Sequence, residues 1–120
     1  MELLEISQED ARKSKGVYLD VRRKNERSKG HVEKDIHIPT AELEQRYEEL
    51  PKDKEIIVYC GGGSRSLYST LFLQSKGYKA KSLQGGYKRY HSEWLTTFGF
   101  VLGSELYLGY QLDRKKDKKL

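Results

Sequence analysis

The run Ile56-Ile57-Val58-Tyr59 and the residues that follow it constrain the fold more than any other part of this chain. Consecutive β-branched and aromatic residues predict a strand that is buried on both of its faces. Cys60 comes next, and Gly61–Gly63 then break the strand. A helical pattern begins immediately afterwards, at Arg65, and Gly77 supplies a stop. The sequence therefore predicts a strand, a glycine-rich turn and a helix in direct succession.

The rest of the chain alternates between short strand and helix patterns. Strands are predicted at residues 16–21, 36–38 and 80–83, and helices at residues 8–11, 41–50 and 87–97. Ser7 and Thr40 are predicted to cap the first two of these helices. On the helix after the glycines, Leu67, Leu71 and Phe72 share one face, which is expected to be the buried one. This alternation predicts an α/β fold with a mainly parallel sheet flanked by helices.

The C-terminal part of the chain is apolar at first and then basic. Residues 98–112 hold many apolar side chains, which are expected to pack within the domain, with a dimer contact as the alternative, and Trp94 is expected in the core. The last eight residues, Asp113–Leu120, hold five basic and two acidic side chains and so contribute +3 of the net charge of +5. We expect a disordered basic tail, or else weak steering of an anionic substrate or acidic partner. It has no aromatic side chains, so a nucleic-acid groove is not supported.

Several classes of protein are excluded. The 120 residues suffice for one domain, and no apolar run approaches the roughly 18 residues that cross a bilayer. The acidic start of the chain is unlike a secretory signal, and a single cysteine excludes an internal disulfide or a multi-cysteine metal site. His31, His37 and His91 lack metal-ligand spacing. We expect a cytoplasmic protein without a membrane partner, metal or cofactor.

Cys60 and the residues after it are the candidate catalytic loop. Glycines allow the backbone to curl so that successive N–H groups point into one concavity, which binds anions. The following helix adds the positive end of its dipole, and Arg65 adds a fork of charged donors. In comparable surroundings, cysteine pKa values fall to roughly 3.5–7.5, so Cys60 is predicted to be a nucleophilic thiolate. The alternative is a buried core cysteine followed by an ordinary tight turn.

The spacing of this loop limits the chemistry. Four residues, Gly61, Gly62, Gly63 and Ser64, separate Cys60 from Arg65. Phosphatases that use a cysteine in an anion-binding loop have one residue more, which makes room for a phosphoryl group. The smaller loop suits a single sulfur atom, carried as a persulfide on the cysteine, with the N–H groups stabilising its charge. That is covalent catalysis in two steps.

Separate pieces of the chain match one family in the family's own order. They are Asp20-Val21-Arg22, Glu26 with Gly30-His31-Val32, Ile38-Pro39, Tyr59 to Ser66, Gly77-Tyr78 and Leu83-Gln84-Gly85-Gly86. On these motifs the chain resembles single-domain rhodanese-like sulfurtransferases over about residues 3–100. The resemblance implies a mainly parallel five-stranded sheet, Cys60 as the sulfur-carrying nucleophile, and a substrate cradle running from Gly61 to Arg65.

Three further residues are assigned roles around this loop. By its position, the Asp20–Arg22 element matches one that lies near the active-site loop of the family and helps to order it. The alternative is a surface ion pair that closes a strand end. Ser66 is predicted either to cap the helix or to donate a hydrogen bond to the sulfur. The resemblance also implies that His31 orders a loop by hydrogen bonding.

The chain departs from the family pattern at three positions. Gly61 stands where a basic or polar residue is frequent, which removes a charge from the side facing thiosulfate and weakens the case for thiosulfate specificity. Arg27 replaces a usual aromatic residue and His37 a usual asparagine. Neither of the last two changes touches the proposed chemistry.

The resemblance implies an enzyme that moves a sulfane sulfur from a small donor to an acceptor. The donor would be a small sulfur-containing anion such as thiosulfate, or a persulfide, and the acceptor a thiol or cyanide. One alternative is a non-catalytic rhodanese-like module that binds a protein partner. Another is a phosphatase or arsenate reductase, which the four-residue spacing disfavours. The predicted domain spans residues 1–112, with a C-terminal extension from about residue 103 and the basic tail at residues 113–120. The oligomeric state is left open.

Overall fold

A computed structural model describes residues 4–98 of the chain. The strands are β1 (Glu5–Ile6), β2 (Val17–Asp20), β3 (Ile36–His37), β4 (Ile56–Tyr59) and β5 (Ala80–Leu83). The helices are α1 (Gln8–Lys13), α2 (Lys24–Arg27), α3 (Leu43–Arg46, between 3-10 turns at Thr40–Glu42 and Tyr47–Glu49), α4 (Ser64–Ser75) and α5 (Gly86–Glu93, followed by a π-helical turn at Trp94–Phe98). The chain divides into two compact units, Met1–Arg89 and Tyr90–Leu120. No helix in the described part of the chain is both long and apolar enough to cross a bilayer.

The five strands form one sheet in the order β1-β5-β4-β2-β3, and every pair is parallel. This confirms the predicted α/β class. In the register, Asp20 lies opposite Tyr59, and Val58 lies opposite Ser82. Because the strands are parallel, their carboxyl ends meet at one edge, where ligands bind in such sheets. That edge brings the residues that follow β2, β4 and β5 together.

The central strand β4 is buried on both faces, as predicted. All four of its residues, Ile56–Tyr59, have an exposed fraction of 0%. The core around it also contains Leu19, Ile38 and Leu73. Cys60 therefore directly follows a strand that cannot shift without disturbing the core.

Strand β1 was not predicted from the residue pattern. It contains only Glu5 and Ile6, which pair with Ser82 and Leu83 of β5. Two residues are too few to show a strand periodicity, so only the implied five-stranded sheet anticipated it.

The buried face of α4 differs from the predicted one. Leu71 is 52% exposed, whereas Ser66, Ser69, Thr70 and Leu73 are the buried residues of this helix. Phe72 is partly buried and packs on the core, as expected. A buried serine is tolerated because its hydroxyl can donate back to a helix carbonyl, as Ser69 does to Arg65 O over 3.1 Å. The buried face of α4 is therefore formed mainly by small hydroxyl side chains and not by large apolar ones.

The predicted helix at residues 41–50 is broken into short turns, and Thr40 does not cap it. The Thr40 hydroxyl donates to Val21 O over 3.0 Å. At the other end of the segment the buried Tyr78 hydroxyl donates to the carbonyls of Tyr47 and Leu50 over 3.0 and 3.2 Å. These tertiary hydrogen bonds compete with a regular helix. The cap at Ser7 is confirmed, since its hydroxyl accepts the N–H of Asp10 over 3.0 Å.

The prediction that Trp94 belongs to the core is wrong, since this side chain is 47% exposed. It lies directly after α5, in the π-helical turn. The predicted packing of the apolar segment beyond Phe98, the extension from about residue 103 and the basic tail at residues 113–120 fall outside the described residues.

Candidate active site

Cys60 lies where β4 ends, with the glycine turn and the start of α4 directly after it. The side chain is 1% exposed. Gly63 is the N-cap residue of α4 and has a φ of +125°, a conformation that favours glycine. A Cβ atom at Gly62, by contrast, would meet nothing within 4 Å. Ser64, the first residue of α4, is exposed. The loop thus requires a glycine at Gly63 but not at Gly62.

Hydrogen-bond donors converge on the sulfur of Cys60. The Gly63 N–H donates to Sγ over 3.0 Å. Burial raises the pKa of the thiol, but the Ser66 hydroxyl and the backbone N–H groups of Ser66, Gly63 and Arg65 lower it. The result is a pKa below the ordinary value of 9.0. These are the unpaired N–H groups of a helix N-terminus, which stabilise negative charge.

Ser66 does not cap α4, because the helix begins at Ser64 with Gly63 as its N-cap residue. Its hydroxyl donates to Gly63 O over 2.9 Å. The same oxygen lies 3.5 Å from Cys60 Sγ and 2.6 Å from Ser82 Oγ. Sequence reasoning gave Ser82 no role, because serine within a predicted strand carries no distinctive signal.

Arg65 makes a two-point ion pair with Glu26 of α2. Its two terminal nitrogens, Nη1 and Nη2, donate to Glu26 Oε1 and Oε2 over 2.7 and 2.8 Å. The hydrogen bonds from Arg65 lower the pKa of Glu26 to about 2, while the pair raises that of Arg65. A Cβ at Gly61 would lie 3.5 Å from Arg65 Nη2 and 3.8 Å from Glu26 Oε2. The guanidinium fork expected to face an anion is therefore engaged by a carboxylate beside Gly61.

Asp20 and Arg22 do not form a surface pair, because their side chains are 0% and 5% exposed. Arg22 donates from Nε and Nη2 to the two Asp20 carboxylate oxygens, each over 3.0 Å. Its Nη2 also donates to Gly30 O over 2.7 Å. Burial raises the pKa of Asp20, but the hydrogen bonds and charge of Arg22 outweigh it and leave the pKa lowered. Both groups are thus held ionised within the fold.

This pair extends into a larger buried ion cluster, consisting of Asp20, Arg22, Arg27, Asp35 and Tyr59. Arg27 donates to both oxygens of Asp35 over 2.8 and 2.7 Å and to Asp20 over 3.2 Å. The Tyr59 hydroxyl donates to Asp35, and burial together with this bond raises the pKa of Tyr59. Because Tyr59 directly precedes Cys60, the cluster fixes the end of β4 to β2 and α2.

His31 and His37 both lie close to residues of the buried ion cluster. His31 Nδ1 lies 2.9 Å from Val32 O and 3.1 Å from Asp35 Oδ1. His37 Nε2 lies 2.8 Å from Arg22 O. Within the described residues, no group of three histidine, cysteine or acidic side chains is arranged to hold a metal ion.

The first turn of α5 contacts the backbone of the Cys60 loop. The N–H groups of Tyr87 and Lys88 donate to Cys60 O and Gly61 O over 2.8 and 3.3 Å. A Cβ at Gly86 would lie 2.5 and 2.6 Å from those two carbonyl oxygens, so glycine is required by this approach. The Cys60 loop is therefore fixed by backbone contacts as well as by ion pairs.

The fold and this loop define an α/β domain with a cysteine at the carboxyl edge of a parallel sheet, and comparison with known proteins gives its family. The Rhodanese-like domain family matches residues 3–93. Putative sulfurtransferase YtwF of Bacillus subtilis is 32% identical over 98 residues, which cover 78% of this chain and 95% of that protein. The chain belongs to the rhodanese-like domain family.

Two solved structures show the same similarity. A rhodanese-related protein from Thermoplasma volcanium is 29% identical, with a TM-score of 0.69 over 74% of this chain and 91% of its own. An NAD-dependent persulfide reductase from A. fulgidus is 41% identical, with a TM-score of 0.62 over 72% of this chain but only 15% of its own. The family and the names of these relatives support a rhodanese-type, sulfur-transfer class of enzyme.

Proposed function

We propose that the protein is a sulfurtransferase that carries a sulfane sulfur on Cys60 as a persulfide. The observation that supports this most strongly is the convergence of donors on Sγ. The Gly63 N–H lies 3.0 Å away, and hydrogen bonds from the first turn of α4 lower the thiol pKa despite its burial. These donors favour the thiolate, which is the nucleophilic form of cysteine.

In the first half of the proposed reaction, the Cys60 thiolate attacks the sulfane sulfur of the donor. A new S–S bond forms, and the bond between that sulfur and the rest of the donor breaks. The electron pair leaves with sulfite when the donor is thiosulfate, or with a thiolate when it is a persulfide. The N–H groups of Gly63, Arg65 and Ser66, which hydrogen-bond Cys60 Sγ, would stabilise the charge of the transferred sulfur.

In the second half, a nucleophilic acceptor attacks the terminal sulfur of the persulfide. Cyanide would leave as thiocyanate, and a thiolate would leave as a new persulfide. The S–S bond to Cys60 breaks and its electron pair returns to the cysteine, which restores the thiolate. The steps add no net oxidant or reductant and need no cofactor.

Charge at the loop favours a persulfide donor over thiosulfate within this proposal. The Arg65 guanidinium is neutralised by Glu26, and Gly61 supplies no charge. A doubly charged anion such as thiosulfate therefore gains little Coulombic attraction. The binding of a singly charged persulfide depends less on such attraction. We propose the cytoplasm as the location, where a single free cysteine stays reduced.

The test is to load the protein with sulfur and measure its intact mass. Incubation with thiosulfate or with a small-molecule persulfide should add the mass of one sulfur atom, and cyanide should remove it as thiocyanate. The Cys60→Ser variant should gain nothing. A wild-type protein that gains no sulfur from either donor, or a variant that gains it equally, would refute the proposal.

A further inference from the structure

A buried hydroxyl on β5 lies behind the catalytic loop. Ser82 is 2% exposed, and its Oγ is 2.6 Å from Ser66 Oγ. Ser66 Oγ is in turn 3.5 Å from Cys60 Sγ. The three atoms form a chain that runs from β5 through α4 to the sulfur.

The hydrogens available to this chain restrict its arrangement. Each serine hydroxyl has one hydrogen to donate. The Ser66 oxygen has two acceptors near it, Gly63 O at 2.9 Å and Cys60 Sγ. The hydrogen bond that the Ser82 hydroxyl makes within residues 4–98 is the one to Ser66. A buried donor without an acceptor is costly, so the Ser82 hydrogen points to Ser66 Oγ.

We propose that Ser82 is a positioning residue, which donates to Ser66 Oγ and so keeps the Ser66 hydrogen available to the Cys60 thiolate. When the thiol loses its proton, the Ser66 hydrogen turns from Gly63 O to the sulfur. Ser82 then supplies the hydrogen bond that the Ser66 oxygen accepts. Hydrogen bonds in such a chain polarise one another, so the outer hydroxyl strengthens the inner donor.

The position of Ser82 supports a specific role. It lies in the strand beside β4, opposite Val58, where an apolar β-branched residue packs well. A buried hydroxyl costs free energy unless it is hydrogen-bonded. The hydrogen bond of Ser82 is made with Ser66, whose oxygen lies beside Cys60 Sγ. This inference rests on the proposed function, because it concerns the same sulfur acting as a nucleophile.

The charged groups near the loop do not change with Ser82. Arg65 on α4 pairs with Glu26 on α2, and Asp20 and Arg22 pair on the β2 side. Lys88 on α5 has an exposed side chain. Substitution of Ser82 therefore alters the hydroxyl chain while leaving these charges in place.

The test is the pH dependence of the alkylation of Cys60 by iodoacetamide. The chain has one cysteine, so the rate reports this thiol alone. Each profile is scaled to its own plateau at high pH, which removes differences in access. Below the thiol pKa, Ser82→Ala should lower the scaled rate about threefold and Ser66→Ala about tenfold.

The double variant distinguishes a relay from a general packing effect. In the Ser66→Ala background, Ser82→Ala should have no further effect on the profile, because the connection to the sulfur is already absent. Ser69→Ala is the matched control, since Ser69 is a buried hydroxyl of α4 that donates to Arg65 O instead. It should leave the profile unchanged.

Three outcomes would overturn the inference. They are an unchanged profile in Ser82→Ala, an equal shift in the two backgrounds, and an equal shift in Ser69→Ala. If Ser82→Ala does not fold, Ser82→Thr and Ser82→Val replace it, because they differ by a hydroxyl against a methyl group. Only the threonine variant should keep the wild-type profile, and matching profiles would equally overturn the inference. No sulfur donor is used, so this experiment can fail while sulfur loading succeeds, and the reverse.

Discussion

Two sets of arginine–carboxylate pairs contact the Cys60 region, and they differ mainly in burial. In the buried ion cluster, the Asp20 and Arg22 side chains are 0% and 5% exposed. In the Glu26–Arg65 pair, the side chains are 32% and 38% exposed. Both pairs have two hydrogen bonds of good length. The first set is shielded from solvent and holds the end of β4 in place, whereas solvent reaches both side chains of the second pair, which therefore contributes less to stability.

The largest expected effect follows from breaking the buried cluster. Asp20→Asn removes the carboxylate that Arg22 and Arg27 share. Leaving buried guanidinium charge without its partner costs about 3–5 kcal/mol of unfolding free energy. Urea denaturation of the variant and the wild type measures this loss.

The control for this experiment is Glu49→Gln, which breaks an exposed two-point pair with Arg46. The expected loss there is small, because solvent screens both charges. Equal losses in Asp20→Asn and Glu49→Gln would show that burial does not separate the two kinds of pair.

Along the chain, the glycine turn lies between Tyr59 of the buried ion cluster and Arg65. Its three glycines are not equivalent. Gly63→Ala forces a Cβ into a φ of +125°, which costs about 1–3 kcal/mol and displaces the N–H that contacts Sγ. Gly62→Ala meets nothing within 4 Å and should change stability by less than about 0.5 kcal/mol. Urea denaturation and sulfur loading of both variants test this. Equal behaviour of the two would mean that the turn is not fixed as described.

Breaking the Glu26–Arg65 pair should have a smaller effect on stability, and it should also change the KM for thiosulfate. Glu26→Gln should cost about 1 kcal/mol or less, because both side chains contact solvent. The freed Arg65 charge should lower the KM for thiosulfate about threefold. The alkylation rate with neutral iodoacetamide, measured where the thiol is fully ionised, should stay unchanged. A KM for thiosulfate that rises would contradict the proposed balance of charges.

The smallest effect concerns pH. Hydrogen bonds from Arg65 lower the pKa of Glu26 from 4.5 to about 2. A carboxylate with a lowered pKa contributes stability that is fully present above its unfolded pKa and is lost as the pH falls through the folded one. The stability difference between wild type and Glu26→Gln should therefore shrink as the pH falls from about 4.5 towards 2. Unfolding curves at several pH values measure it, and a difference that grows in acid would contradict the sign.

Local signals in the sequence predicted the centre of the molecule well. One short stretch contains the apolar run of β4, the glycines and the helix after them. These elements are adjacent in space because they are consecutive in the sequence. The α/β class and the five-stranded sheet were confirmed. The order of family motifs pointed to the region where Cys60, Asp20 and Arg22 now lie.

The remaining parts of the site depend on contacts between distant residues. Glu26 and Arg65 are 39 positions apart, and Ser66 and Ser82 are 16 apart. A pattern of apolar and polar residues does not show which charged side chain pairs with which. Nor does it show that serines of α4 are buried while Leu71 is exposed, because serines whose hydroxyls donate within the helix look polar in sequence.

One titration shows whether the loop holds Cys60 as a thiolate. The ultraviolet absorbance of the thiolate is followed from acid to alkaline pH in the wild type, and the signal of Cys60→Ser is subtracted at each point. We expect an ionisation midpoint below the ordinary thiol value of 9.0. A midpoint at or above that value would contradict it.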